Sequence, residues 1–206
     1  TQKSFPATIL KSIDPIEIGS DPVEVSKAFN SKNPTTSPFG NSGVMFDGVA
    51  FTTRVESAHD GAFARLSDYL ISEDEVPEEY FINNPKDLEK WVYLKGAKNE
   101  ERKAASGFKF IYKEGAVGFP DPLDKPSRTI ITSEGGPTPS RFKHVIETKK
   151  GLRRLTPLEL ERLCMFPDNH TAGHSDAKRA FFMGNALVVG VIDNLGKALS
   201  DFEFKG

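Results

Sequence analysis

Hydrophobic and polar positions alternate most cleanly over residues 43–55, GVMFDGVAFTTRV, where Asp47-Gly48 divides two runs of aromatic and β-branched residues. That pattern predicts a hairpin closed by a two-residue type I′ turn. Over 60–71, Phe63, Leu66, Tyr69 and Leu70 recur at helical spacing and predict a short amphipathic helix. A second helix is predicted over 84–95, with Asn84 as cap and Pro85 in the first turn. Residues 107–119 alternate, with Lys109 and Lys113 on one side and Phe108, Phe110 and Tyr112 on the other, which predicts a strand turning at Glu114-Gly115. Ser127 to Ser133 reads as a short β-branched strand ending at Gly135-Gly136. Residues 142–146 and 152–155 read as a pair folded around Lys149-Lys150-Gly151.

Three helices follow, over 156–165, about 175–183 and 186–200. The first has a clear start: Thr156 as N-cap, Pro157 at the first helical position and Glu159 three residues after the threonine, a capping box. Asn185 reads as the N-cap of the last helix. Residues 1–41 carry Pro6, Pro15, Pro22, Pro34 and Pro38 and hold at most one short helix, over 22–30. The segment Ser37 to Gly43 reads as a connector. The fold class is α+β, divided into a connector (1–41), a β-rich domain (42–155) and a helical segment (156–206).

Composition narrows this. Apolar residues make up 37% of the chain, mean hydropathy is −0.40, and 17 Gly with 14 Pro call for many turns. One cysteine excludes an internal disulfide and fits a reducing, cytoplasmic setting. No apolar run approaches the ~20 residues of a membrane span. The net charge of −2 hides a segregation: residues 1–90 carry 8 Lys and Arg against 15 Asp and Glu, residues 91–154 carry 14 against 7, and residues 155–206 carry 5 against 7. Only the middle block suits a phosphate backbone.

The stretch GLRRLTPLELERLCMFPD (Gly151 to Asp168) resembles motif IX of the DNA cytosine-5 methyltransferases. GNALVVGVIDN (Gly184 to Asn194) resembles their motif X, and SRTIITSEGGPTPSRFKHVI (Ser127 to Ile146) is similar to the end of their target-recognition domain. The resemblance covers about the last 80 residues. It implies a recognition domain followed by helices that complete a Rossmann-like methyltransferase domain. It also implies methyl transfer from S-adenosylmethionine to C5 of cytosine in duplex DNA, of the restriction-modification kind, after a cysteine attacks a flipped-out base. On this resemblance Arg128, Thr129, Ser133, Gly135, Gly136, Arg141, Lys143 and His144 are the DNA-facing candidates, Arg141 and Lys143 as phosphate contacts on one sheet face. Asn185 and Ala186 are the donor contacts, and Arg154, Thr156, Pro157 and Glu159 are the structural residues of motif IX.

The family's Pro-Cys nucleophile, Glu-Asn-Val segment and glycine-rich donor turn have no counterpart in this sequence. The chain is therefore expected to be the C-terminal part only, a split subunit or an excised piece. It would be inactive alone, with duplex DNA and a catalytic segment as partners. The alternative is a stand-alone DNA-binding or regulatory module. Two positions depart from the motif: Leu158 replaces a basic residue, and Met165 replaces the glycine that usually ends the helix in a left-handed cap. Cys164 has no neighbour to lower its pKa and reads as a core residue. His170 and His174 lack further ligand-type neighbours and are not read as a metal site.

Overall fold

The computed structural model describes residues 6–19, 21, 23–27, 37–59 and 61–200. The chain divides into two units, residues 1–61 with 194–206, and residues 62–193. These boundaries differ from those expected at 41 and 155.

The first unit is a sheet around one long strand. Strand β4 (Val49–Ser57) pairs antiparallel with β1 (Ala7–Ser12), β2 (Ile16–Glu17) and β3 (Ser42–Phe46). Thr53 is the register partner of both Ser12 and Ser42, so β1 and β3 take opposite edges of β4. The β3–β4 turn is the one read from sequence: Phe46 faces Val49, with φ of 47° at Asp47 and 74° at Gly48. Positive φ at both central positions defines the type I′ geometry that matches strand twist. Part of the segment expected to be a connector is thus sheet. Residues 23–27 are helical, and the rest of the helix expected over 22–30 lies outside the described residues. Asn41 extends the sheet through its side chain, donating to the Val55 carbonyl and accepting from the Val55 amide at 2.9 and 2.8 Å.

In the second unit, helix α1 (Pro85–Lys95) starts as predicted, with the Asn84 side chain accepting from the Lys86 amide. A ribbon follows, β5 (Lys98–Lys103) paired with β6 (Lys109–Glu114), and then a hairpin, β7 (Val145–Thr148) with β8 (Gly151–Arg154). Helices α2 (Pro157–Leu163), α3 (Asp176–Asn185) and α4 (Val189–Ser200) close the order, the last passing from this unit into the first. The core gathers Leu66, Ile146, Leu155, Leu160, Cys164, Ala180 and Met183.

Three expectations fail here. The helix over 60–71 shrinks to a single turn at Leu66–Tyr69, because the Leu66 and Ser67 amides are taken by the Lys125 and Leu123 carbonyls. Residues 127–133 form no strand: the Ile131 amide points to the Glu134 carboxylate at 3.5 Å, and the segment lies against α3. Asn185 ends α3 instead of capping α4, and its amide donates to the Phe181 carbonyl at 2.8 Å.

Candidate functional site

Helix α2 is built on the capping box and on a residue the sequence reading passed over. The Thr156 hydroxyl accepts from the Glu159 amide, and Glu159 Oε2 accepts from the Thr156 amide at 2.8 Å. The same carboxylate meets Arg153 through two bonds, 2.9 Å at Oε2 and 2.7 Å at Oε1, and Oε1 also accepts from the Ile71 amide. Arg153 and Glu159 are 1% and 0% exposed, so both charges are out of water and are held there by their mutual bidentate geometry. Arg154, the arginine expected to matter, donates to the Gly135 and Glu79 carbonyls and lies over the Tyr80 ring. Pro157 occupies the first turn as expected.

A second carboxylate, Glu161, ties α2 to α3. Its Oε1 accepts from the Thr171 amide and hydroxyl and from Arg179 Nη2 at 2.8 Å. At the end of α2, Met165 adopts φ of 62°, the left-handed conformation for which glycine is the easy residue. Cys164 is 3% exposed, with its Sγ 3.7 Å from the Met183 carbonyl, and burial pushes its thiol pKa up.

The segment that carries the DNA-facing candidates is held by two further buried acids. Asp121 receives Arg128 Nε at 2.6 Å and the Val145 amide at 2.8 Å, with the Lys95 ammonium 3.6 Å away. Glu134 accepts from the His144 amide and lies 3.0 Å from His144 Nδ1, and His144 Nε2 is 3.2 Å from the Ser127 hydroxyl. Arg128 also donates to the Phe142 and Lys143 carbonyls. Lys143 is 3% exposed and its ammonium donates to the Gly136 and Thr138 carbonyls at 2.7 and 2.8 Å. Arg141 pairs with Glu114 at 3.0 Å and donates to the Leu94 and Gly115 carbonyls.

These placements depart from the expectation that Arg141 and Lys143 share an exposed sheet face. Strand β7 begins only at Val145, and both cations are spent on protein partners. His144 is fully buried. Thr129 and Ser133 remain exposed, and Arg128 is half-buried. The glycine pair also has a different use: a side chain at Gly135 would meet the Ala180 Cβ at 2.6 Å and the Asp176 carbonyl at 2.9 Å, so this glycine lets the loop lie on α3. Gly184, on α3, meets the Ile131 and Thr132 backbone at still closer range.

Between this loop and the helices lies a cavity of about 340 Å³, whose lining includes Arg128, Ile130, Cys164, Gly184, Ala186 and Val188. Of the two residues expected as donor contacts, Ala186 lines this cavity, whereas Asn185 is exposed and does not. Neither Asp121, Glu134 nor Arg153 carries a local sequence signal, since each finds its partner only through the tertiary fold. Among the described residues no group of three or more metal-ligating side chains converges. No helix among them is long and apolar enough to cross a membrane.

The buried acids make stability depend on pH. Burial alone raises a carboxyl's pKa. At Asp121 the Arg128 guanidinium, the Val145 amide and the Lys95 ammonium outweigh it and hold the carboxyl below its ordinary 3.8. At Glu161 burial is outweighed by the Thr171 hydroxyl and amide and by Arg179, which hold the group below 4.5. Depressed carboxyls add stability above their unfolded pKa and lose it as pH falls through the folded one. The urea midpoint is expected to stay level from neutrality to about pH 5 and to fall steeply below about pH 4. Asp121→Asn should start lower and lose less over that acid range. Equal acid losses in the two proteins would remove Asp121 from the account.

A mixed chain of helices and strands, in which buried acids pin the loop before β7 and anchor the capped helix α2, is what fold and site define. The chain belongs to the C-5 cytosine-specific DNA methylase family, whose model matches residues 30–201. It is similar to the Type II methyltransferase M.Sau3AI of Staphylococcus aureus, at 33% identity over 183 residues, which is 89% of this chain and 42% of that protein. The chain thus spans less than half the length of that relative. Among solved structures it is similar to the Dnmt2 methyltransferase of S. pombe (17% identity, TM-score 0.47, 75% of this chain and 50% of that one). It is also similar to the Entamoeba histolytica methyltransferase EhMeth (20% identity, TM-score 0.46, 74% and 46%).

Proposed function

We propose that this chain is the DNA-recognising part of a cytosine-5 DNA methyltransferase of the Type II kind. In the working enzyme it joins a segment that supplies the nucleophile and most of the S-adenosylmethionine pocket. The observation that carries this reading is the state of Cys164. It is the one cysteine in the sequence, it sits in the core, and burial disfavours the thiolate that attack on cytosine requires. The cavity beside it fits one wall of a donor site: Ala186 and Val188 are apolar, Gly184 lets the backbone come close, and the lining holds neither carboxylate nor aromatic ring to grip a ribose or adenine. S-adenosylmethionine, when bound, would supply the methyl group, and this chain would contribute shape and sequence choice. Thr129 and Ser133, exposed on the loop fixed by Arg128 and Glu134, would face the duplex.

The test is co-expression with a chain carrying the Pro-Cys and Glu-Asn-Val segments, followed by transfer of labelled methyl from the donor to duplex DNA. Methylation is expected from the pair and from neither chain alone. Cys164→Ala should leave methyl transfer by the pair unchanged, with a stability loss of about 1 kcal/mol from the small cavity. Loss of transfer in a variant that still folds and pairs would place the nucleophile in this chain and overturn the reading.

A further inference from the structure

The ribbon β5–β6 has two unlike faces. Cross-strand partners share a face, so Lys98, Glu100, Arg102, Phe110, Tyr112 and Glu114 point one way. That face rests on the body of the unit. The Lys98 ammonium bonds Glu114 at 2.8 Å and the Leu94 carbonyl at 3.1 Å, Arg102 lies 3.6 Å over the Tyr112 ring, and Arg141 reaches Glu114. The other face holds Asn99 with Lys113, Glu101 with Ile111, and Lys103 with Lys109, and all six side chains are exposed. Ile111 is 57% exposed, and Phe108 at the ribbon's tip is 68% exposed. Lys109 pairs with Glu101 at 2.8 Å, while Lys103 and Lys113 have no carboxylate partner among the described residues.

A two-stranded ribbon that leaves an isoleucine in water between lysines is a surface shaped for a polyanion with an apolar interior. A duplex major groove, about 12 Å wide, admits such a ribbon. From the Asn99–Lys113 rank to the Lys103–Lys109 rank is four residues, about 13 Å at strand rise, or roughly four base steps. The lysines at the two ends therefore reach phosphates while the middle rank faces base edges. There Glu101 can accept from a cytosine amino group, and Ile111 can pack on a thymine methyl.

We propose that this outer ribbon face is the element that enters the major groove, with Lys103 and Lys113 as phosphate contacts and Glu101 and Ile111 as base readers. The inference rests on the DNA-recognising role proposed above and assigns it to residues outside the glycine-pair loop. Two measurements on the full chain test it, both against a pool of random-sequence duplexes. In salt-dependent fluorescence anisotropy, Lys103→Gln plus Lys113→Gln should flatten the slope of log K against log salt by about 1.8, whereas Lys86→Gln plus Lys149→Gln should leave it unchanged. In rounds of sequence enrichment from the pool, Glu101→Gln plus Ile111→Ala should enrich sequences different from those of the parent. Equal slopes for the two lysine pairs, or an unaltered enriched sequence, would overturn the ribbon assignment while leaving DNA recognition intact. A parent chain that binds no duplex at low salt would overturn both.

Discussion

Arg153→Met is expected to cost about 3–5 kcal/mol, read as a lower urea midpoint at unchanged slope. The pair it breaks is out of solvent on both sides, so the variant leaves the Glu159 carboxylate buried without its countercharge. Glu159 is also the second half of the capping box and the acceptor for the Ile71 amide, so its rotamer fixes the start of α2 and holds the distant loop at Ile71 against it. The comparison that isolates the charge is Arg153→Met with Glu159→Gln. Glutamine keeps one carbonyl oxygen for the Thr156 amide and carries no charge, so the double variant should be more stable than Arg153→Met alone. A double variant that is worse than the single would show that the pair's hydrogen-bond geometry matters more than its buried charge.

Gly184→Ala should destabilise by about 1–3 kcal/mol, although alanine is the better helix former by roughly 1 kcal/mol. The added methyl would fall on the Ile131 and Thr132 backbone, which no rotamer change can relieve. The loop must then lift from α3, and the contact at Gly135 would open with it. Amide exchange at residues 130–136 should speed up in the variant. Normal protection there, with a lower midpoint, would place the damage elsewhere. Gly184, the first residue of the stretch that resembles motif X, is thus explained by the loop packed on it.

Local chemistry made the capping box at Thr156 and the turn at Asp47-Gly48 legible, because in each the residues that determine the geometry are sequence neighbours. The hairpin around Lys149-Lys150 and the starts of α1 and α2 could be read for the same reason. Strand β5, KNEERK, could not: its charged residues resemble a solvated turn, and only pairing with the aromatic β6 makes them a strand. Ser127 to Ser133 has a strand's composition, yet its amides and side chains answer to Glu134, His144 and α3. Net positive charge over 91–154 pointed to DNA without showing which cations are free. Arg141 and Lys143 are consumed internally, and Lys103 and Lys113 stand in solvent. Burial decides that, and burial is a property of the folded chain.

Met165 has a consequence for how this stretch can change over time. It takes the left-handed backbone that motif IX usually assigns to glycine, and its sulfur and terminal methyl come within 2.7 and 2.8 Å of where a side chain at Gly190 would begin. The missing bulk at one site is thus matched by bulk at the other. A lineage that restores glycine at the first clears that space outright, while one that fills the second first has only to swing aside the exposed end of a flexible methionine.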